Sequence, residues 1–344
     1  MASWRAEVYR VAADGPSDVA GVEALFEGGL PPASVVAVLG KTEGNGCVND
    51  FSRGYATQSF EALFARHGVE GVSIIMSGGT EGALSPHWTV FARTRSDEPG
   101  IGALAIGVAR TADLEPNQLG RKAQVLMVAD GVRTAMRDAG ITSPQDVHFV
   151  QIKCPLLTAK AVADVEAKGG KTVTRDTLKS MGFSRGASAL GVAVALGELQ
   201  EHAIMDADIG TNFDLYSRCA STSAGVELSD HEIIVLGMSD AWSGPLAIDH
   251  AVMQDAIDTA SVREARERLP AYARLKAVLA KAEPDPSGQV RGRRHTMLDD
   301  SDISATRHAR AFVAGVLAGV FGMTDLYVSG GAEHQGPPGG GPVA

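Results

Sequence analysis

The chain has 344 residues, of which 44% are apolar and 21% charged, a composition typical of a globular enzyme with length for two or three domains. Its formal net charge is −10, from 31 basic and 41 acidic side chains, which argues against a nucleic-acid-binding face. The negative total does not exclude an anionic small molecule, because a few local arginines override the global field.

The cysteines and the apolar segments indicate in which cell compartment the protein is expected. Cys47, Cys154 and Cys219 are odd in number and widely spaced, which predicts no disulfide framework and favours a reducing compartment. No run reaches the roughly 18 apolar residues of a membrane helix. The first residues, MASWRAEVYRV, lack the apolar segment of a signal peptide. We therefore expect a cytoplasmic protein with neither a membrane nor a nucleic acid as partner.

Three signals recur along the chain in the same order, and the first is an apolar run that ends in lysine. VVAVLGK ends at Lys41, VHFVQIK at Lys153 and AVLAK at Lys281. The first two runs are rich in β-branched residues and predict buried strands. The third has helical composition, and its place in the series leads us to predict a strand there too.

The second signal is an arginine that opens an apolar-periodic helix, at Arg53, Arg185 and Arg307. Ser or Thr precedes each arginine and is the predicted N-cap. An arginine at a helix start adds to the positive end of the helix dipole, which is unfavourable unless an anion or an electron-rich oxygen lies there. The three arginines are therefore candidate ligand-binding residues.

The third signal is a serine followed by small residues and a glutamate. The copies are SGGTE from Ser77, SAGVE from Ser223 and SGGAE from Ser329. Strands are predicted before the first and third copies, at VSIIM and DLYV, and after the first and second copies, at LSPHWTVFA and LSDHEIIVLG. Aligning the shared Gly and Glu places Ser223 in the repeat and leaves Ser221 outside it.

The repeat predicts both the fold and the domain organisation. We expect an α/β protein of three similar repeating units around a pseudo-three-fold axis, with units at 1–103, 112–249 and 255–344. Each unit contains strands and two or more helices. Residues 282–295 are expected to form a polar loop, and the tail GPPGGGPVA is expected to be irregular backbone.

Three units that each present Lys, Arg and Ser to one axis predict a small polar cavity for a flat, roughly three-fold ligand with several carbonyl oxygens. Arginine suits such oxygens through its planar donors. Gly78, Ala224 and Gly330, which follow the serines, are expected to offer backbone N–H groups for an oxyanion hole. A neutral lysine activates a serine nucleophile, and burial with nearby arginines favours the neutral form. The predicted chemistry is acyl transfer, and the residues alone do not choose among the three serines.

Other site types lack their sequence signals. No HxH or HExxH pattern indicates a catalytic zinc, and no GxGxxG or GxxxxGK[ST] pattern indicates a nucleotide site. We therefore expect no organic cofactor. His87 and His231 lie at equivalent places in the repeat, and we interpret both as structural.

Long segments of the chain resemble the cyanuric acid hydrolase/barbiturase family of ring-opening amidohydrolases. The segments are KTEGNGCVNDFSRGYA, IMSGGTEG, VQIKCPLL, LKSMGFSRGASALGVA, SRCASTSAGVEL and SGGAEHQGPPGGGPVA, and they span nearly the whole chain. The resemblance implies a β-barrel-like core flanked by helices, a homotetramer, and a small cyclic imide as substrate. It implies hydrolytic opening of the s-triazine ring of cyanuric acid to carboxybiuret.

The resemblance also implies residue roles. Lysines and serines would pair as Lys41 with Ser77, Lys153 with Ser223, and Lys281 with Ser329, while Arg53, Arg185 and Arg307 hold the ring oxygens. The middle pair would perform the chemistry, with Ser223 as nucleophile and Lys153 as its base. A structural Mg²⁺ or Ca²⁺ near the C-terminus is implied as well, and oxygen ligands suit such a hard cation. Its implied ligands are Glu283, Ala332, Gln335, Gly336, Pro337 and Gly340.

Three alternatives to a cyanuric acid hydrolase stay open. A barbiturase would open barbituric acid to ureidomalonate, although the near-identity of the three units favours the fully symmetric ring. A non-catalytic three-fold binding protein would not need both Lys153 and Ser223. A Ser–Lys protease or general amidase is expected to have one dyad and an open groove, so three near-equivalent dyads argue against it.

Overall fold

The computed structural model describes residues 3–344, and it divides into successive groups of strands and helices. The first group contains β1 (Ser3–Ala12), α1 (Ala20–Glu27), β2 (Val35–Thr42), α2 (Phe51–Arg66), β3 (Ser73–Gly78) and β4 (His87–Ser96). The second contains β5 (Ala103–Arg110), α3 (Lys122–Ala139), β6 (Val147–Pro155), α4 (Ala159–Ala167), α5 (Thr177–Ala195), β7 (Ala220–Gly225), β8 (Glu232–Ser239) and β9 (Trp242–Ser243). The third contains β10 (Ala251–Met253), α6 (Thr259–Arg268), β11 (Leu279–Ala282), β12 (Gln289–Val290), β13 (Arg293–Arg294), α7 (Ala305–Phe321), β14 (Tyr327–Gly330) and β15 (Gly341–Val343).

The three groups form sheets with the same strand order. The orders are β3-β2-β4-β1, β7-β6-β8-β5 and β14-β11-β15-β10, with the short β9 added beside β1. In each four-strand order the first two strands are parallel and the other two pairs are antiparallel, while β9 pairs with β1 in parallel. The predicted α/β fold of three similar units is confirmed. Within residues 3–344 the sheets stay separate and do not close into one hydrogen-bonded barrel. The unit boundaries 1–103, 112–249 and 255–344 remain a proposal.

Strand register brings each lysine beside the serine of its own unit. The paired positions across the parallel strands are Lys41 with Ser77, Lys153 with Ser223, and Lys281 with Ser329. The strand at Lys281, which the sequence predicted only from its place in the series, is confirmed as β11. The same backbone arrangement therefore presents a Lys–Ser pair three times.

Helices cover the outer faces of the sheets, and apolar side chains hold the layers together. The largest buried cluster joins strands of all three sheets with α3, where Val128 is fully buried. Phe60 of α2 packs against Trp88 of β4, and Val313 and Leu317 of α7 belong to the cluster under the third sheet. Burying each such side chain stabilises the fold by about 1.5–3 kcal/mol. The site described below is thus held by a packed core.

The helices begin at different residues from those predicted. Asp50 caps α2, Asp176 caps α5 and Ser304 precedes α7, so the Ser or Thr before each arginine is not the N-cap. The Asp50 and Asp176 carboxylates accept backbone N–H bonds that satisfy orphan donors of the first turn. Arg185 consequently lies in the middle of α5. The helix-dipole argument does not apply to it.

Two other expectations are corrected. The tail is not irregular throughout, because Gly341–Val343 form β15, which pairs with β10 and β11. The segment 282–295 contains a two-stranded hairpin of β12 and β13. Among the described residues, no helix combines the length and the apolar character needed to cross a membrane.

Candidate active site

The three lysines are buried and connect the units in a cycle. Each lysine Nζ donates a hydrogen bond to the backbone carbonyl of the residue just before the serine of another unit. The pairs are Lys41 with Val328 O at 2.8 Å, Lys153 with Met76 O at 3.1 Å, and Lys281 with Thr222 O at 2.9 Å. The first unit thus contacts the third, the second contacts the first, and the third contacts the second. This cycle indicates a three-fold arrangement of side chains about one centre.

The three serines and three arginines line one small cavity at this centre. Ser223 Oγ lies 3.3 Å from Ser329 Oγ. The lining residues are Gly46, Arg53, Met76, Ser77, Gly78, Met181, Arg185, Ser223, Ala224, Arg310, Ser329 and Gly330. Eight of the twelve residues with an expected role in catalysis or substrate binding are among them, and the three lysines and Arg307 are not.

The third arginine of the cavity is Arg310, which the sequence reasoning missed. The side chain of Arg310 is 3% exposed, whereas that of Arg307 is 40% exposed and does not line the cavity. Arg310 lies on the buried stripe of α7 with Val313 and Leu317. That periodicity is the signal that could have distinguished it. The structure therefore places Arg310, and not Arg307, beside Arg53 and Arg185.

Glycines let the arginines approach the serine turns closely. A Cβ at Gly79 would lie 2.3 Å from Arg310 Cζ, and a Cβ at Gly331 would lie 2.5 Å from Arg185 Cζ. Both glycines have a positive φ, which favours glycine on conformational grounds as well. Arg53 donates instead to the carbonyl of Ala224, at 3.0 Å. Each arginine therefore contacts the serine turn of another unit.

The Lys–Ser pairs differ in their hydrogen bonds. Lys41 Nζ lies 3.2 Å from Ser77 Oγ, and Lys281 Nζ lies 3.1 Å from Ser329 Oγ. Lys153 Nζ instead lies 2.7 Å from the carboxylate of Glu227. No hydrogen bond joins Lys153 to Ser223 in the described part of the chain, although their backbones are paired.

Burial and positive neighbours perturb two of the lysines. Burial lowers the pKa of Lys41 well below its usual value, and the Arg310 charge adds to this effect. Burial together with the Arg185 charge lowers the pKa of Lys281 to about 7. Both shifts favour the neutral amine that base chemistry requires.

The glutamate of each serine motif also has different partners in the three units. Glu81 accepts hydrogen bonds from Arg310 and Arg307, and Glu333 accepts two from Arg185. Glu227 pairs with Lys153. Burial raises the pKa of Glu227, but the Lys153 ammonium outweighs it and brings the value to about 2. The glutamate of the middle motif thus pairs with a lysine, whereas the glutamates of the other two motifs pair with arginines.

The implied metal ligands gather around a separate cavity of about 210 Å³. Glu283, Ala332, Gly336, Pro337 and Gly340 line it. The side chain of Gln335 is already used, because its Oε1 accepts from Thr222 N at 2.7 Å and its Nε2 donates to Gly331 O. Only the backbone oxygen of Gln335 is left to serve as a ligand. Burial and the neighbouring Glu333 charge raise the pKa of Glu283 to about 7. A cation bound beside this buried carboxylate would stabilise its charged form.

Other histidine and acidic groups lie outside the cavity. His87 Nδ1 donates to Ser85 O, and His231 contacts Thr111 and Gln124, which agrees with structural roles. Among the described residues, one cluster of metal-ligating types comprises His148, Asp249 and His250. Both carboxylate oxygens of Asp249 are bonded to Arg268, so that cluster is already neutralised.

Serines and arginines from three similar units line one small cavity, with three buried lysines bonded to its backbone, an arrangement suited to an enzyme that acts on a small ring with several carbonyl groups. Residues 7–344 match the family described as amidohydrolase ring-opening protein. The chain therefore belongs to the ring-opening amidohydrolase family, which confirms the resemblance found in its motifs.

Similar proteins match over their full lengths. The cyanuric acid amidohydrolase of Rhizobium johnstonii is 75% identical and the match covers 100% of this chain and 98% of that protein. That of Azorhizobium caulinodans is 60% identical, with 98% of this chain and 97% of the relative covered. The crystal structure of the A. caulinodans cyanuric acid hydrolase superposes with a TM-score of 0.94, covering 99% and 97% of the two chains. A second cyanuric acid hydrolase, described as an innovation by structural concatenation, is 49% identical with a TM-score of 0.95 and covers 99% and 98%.

Proposed function

We propose that the protein is a cyanuric acid amidohydrolase that hydrolyses one ring C–N bond of cyanuric acid to give carboxybiuret. The observation that carries the proposal is the cycle of three lysines, serines and arginines about one cavity. A flat ring with three equivalent carbonyl groups matches three equivalent sets of donors. The 75% identity with a cyanuric acid amidohydrolase over the whole chain supports the same substrate.

In the proposed reaction Ser223 is the nucleophile and Lys153 is its base. Ser223 Oγ attacks a ring carbonyl carbon while Lys153 Nζ takes its proton, and the ring C–N bond breaks as the leaving nitrogen receives that proton. Water then attacks the acyl group and gives a proton to Lys153, the bond between Ser223 Oγ and the acyl carbon breaks, and Lys153 returns the proton to Ser223 Oγ, which restores both groups. Arg53, Arg185 and Arg310 bind ring oxygens, and turn N–H groups at Gly78, Ala224 and Gly330 face developing negative charge.

The other two pairs serve a different purpose in this proposal. Lys41 with Ser77 and Lys281 with Ser329 bind and polarise the carbonyl groups that are not attacked. Arg307 contributes through Glu81, which it shares with Arg310. The asymmetry between one hydrolytic pair and two binding pairs rests on the family resemblance and on the contacts of Glu227.

We further infer a structural Mg²⁺ or Ca²⁺ held by the Glu283 carboxylate and by backbone oxygens of Ala332, Gln335, Gly336, Pro337 and Gly340. Such a cation supplies charge that keeps the buried Glu283 ionised and ties the Gly/Pro-rich tail to β11. A homotetramer in the cytoplasm and the division into units at 1–103, 112–249 and 255–344 also remain proposals.

Turnover of cyanurate and barbiturate by the wild type, with a Ser223→Ala variant, tests the function. We expect the wild type to open cyanurate, and we expect Ser223→Ala to lose ring opening while calorimetry still detects cyanurate binding. Ser221→Ala is the matched control, because Ser221 bonds to Gln151 and lies outside the cavity lining. Activity on barbiturate with none on cyanurate contradicts the substrate. Ring opening by Ser223→Ala contradicts the nucleophile.

A further inference from the structure

The surroundings of Lys153 differ from those of the other two lysines. Lys41 and Lys281 donate only to serine hydroxyls and backbone carbonyls. Lys153 Nζ contacts a carboxylate, at 2.7 Å from Glu227 Oε1. A Cβ at Gly225 would lie 2.1 Å from Glu227 Oε2, so the glycine leaves the space in which this carboxylate folds back toward the lysine.

A second acidic residue flanks Lys153 on its other side. Glu232 of β8 is the antiparallel partner of Lys153, just as Ser223 of β7 is its parallel partner. The equivalent partner of Lys41 is His87. In the third sheet the corresponding strand, β15, contains only Gly, Pro and Val. Among the described residues, the middle lysine is therefore the one of the three that both contacts a carboxylate through its Nζ and has an acidic antiparallel neighbour.

These groups face a second cavity, which opens toward solvent. Lys153, Glu227 and Glu232 line a space of about 580 Å³ together with Glu61 and Arg110. None of its lining residues also lines the cavity of the three serines. The Glu227 side chain is 25% exposed and that of Arg110 is 51% exposed, so water reaches both. The Lys153 side chain is itself 1% exposed, so its partner Glu227, and not the lysine, makes the contact with water.

Charged side chains of the neighbouring elements lie around Lys153 and its acidic partners. Arg110 of β5 bonds to both Asp230 and Glu232. Arg53 of α2 and Lys153 both act on the Glu227 carboxylate. Burial raises the pKa of Glu232 to about 7, so its charge changes near neutral pH. The cavity wall can accept and release protons.

We propose that Glu227 is a positioning residue that orients Lys153 toward Ser223 and exchanges the proton of Lys153 with water in this second cavity. The inference rests on the proposed roles of Ser223 and Lys153. In the exchange, one proton leaves the Lys153 ammonium along its hydrogen bond to Glu227 and passes to water of the second cavity in one concerted step, so Glu227, with its low pKa, stays a carboxylate. Lys153 is left as a neutral amine that accepts the Ser223 proton. Lys41 and Lys281, which have no carboxylate partner, lack this route and keep binding roles.

Glu227→Gln tests the proposal, because it keeps the shape of the side chain and removes its charge. We expect kcat to fall on the order of 10- to 100-fold, since Lys153 loses its orienting contact, while KM changes less than about threefold. Removing the negative charge favours the neutral amine. The acidic limb of the kcat profile is therefore expected to move to lower pH. Replacing a residue that only supports folding would not shift the acidic limb of the dependence of kcat on pH.

Two further variants make the result decisive. Glu227→Asp retains the charge, and we expect it to recover part of kcat with the wild-type acidic limb, even if Glu227→Gln folds poorly. Glu81→Gln changes the equivalent glutamate that pairs with Arg310, and we expect it to raise KM without moving the limb. An unchanged limb in Glu227→Gln, or a change confined to KM, overturns the proposal. If Ser223→Ala still opens the ring, the failure belongs to the proposed function instead.

Discussion

The middle Lys–Ser pair and the two flanking pairs share a backbone but not an electrostatic environment. All three pairs stand at equivalent register positions on equivalent strands. Lys41 and Lys281 hydrogen-bond to their serines, whereas Lys153 contacts Glu227. Three similar units thus line one cavity, and the second unit differs in that its glutamate, Glu227, contacts the lysine. In the proposed mechanism, symmetric binding and asymmetric chemistry therefore depend on different contacts.

Replacing the lysines one at a time is expected to give the largest contrast. Lys153→Met removes the proposed base, and we expect kcat to fall by about 10³-fold, in the range typical of general-base loss. Lys41→Met and Lys281→Met are expected to act mainly on KM, because binding and polarising the ring is the role proposed for those lysines. Steady-state kinetics on cyanurate measures both effects. A larger loss of kcat in Lys41→Met than in Lys153→Met would assign the chemistry to the first pair.

Arg310 and Arg307 offer a matched pair on one helix. Arg310→Lys loses the planar, multiply donating guanidinium inside the cavity, and we expect KM for cyanurate to rise about 10- to 100-fold. Arg307→Lys, at the more exposed position, is expected to change KM less than about threefold. If the two variants behave alike, the cavity assignment of Arg310 fails.

Removal of the proposed cation is expected to lower stability rather than act on the chemistry directly. A chelator should lower the Tm of the wild type by about 5 °C, since binding to the folded state contributes a few kcal/mol when the cation is in excess. Glu283→Gln should start from the lower Tm and respond little to the chelator. Glu201→Gln, an exposed carboxylate elsewhere, serves as the control. Equal chelator responses in all three proteins would contradict a cation at Glu283.

Acid is expected to destabilise the first and second units through equivalent histidines. Burial lowers the pKa of both His87 and His231 to about 4. Because the unfolded chain binds these protons near pH 6.5 and the folded chain does not, stability is full above that pH. It falls as the pH drops toward 4, by up to about 3 kcal/mol for each histidine. Denaturant unfolding across this range measures the slope, which His231→Gln should reduce. An unaltered slope in that variant would contradict the buried neutral histidine.

The repeat in the sequence predicted the architecture because strand register transmits it directly. Once Lys41 and Ser77 end adjacent parallel strands, the same spacing in the other units forces the same neighbours. Even Lys281, in a segment of helical composition, follows this rule, since sheet pairing overrides local propensity. The helix boundaries were harder to predict from the sequence, because the N-caps are Asp50 and Asp176 and not the residues beside the arginines.

The asymmetry of the site could not be predicted from the pattern. Arg307 follows a Thr as Arg53 and Arg185 follow a Ser, so it matches the repeat, whereas the buried side chain is that of Arg310, one helical turn later. Glu81, Glu227 and Glu333 have identical places in their motifs. Which cation each one contacts depends on side-chain rotamers and on the groups that other units bring near. Residue identities fix the members of the site, and packing between units decides their pairing.

The most direct test is to trap the acyl-enzyme formed from cyanurate by rapid acid quench and to locate it by peptide mass spectrometry. An adduct on the peptide that contains Ser223, absent in Ser223→Ala, is the predicted result. An adduct on Ser77 or Ser329 would contradict the assignment of the middle pair as the hydrolytic one.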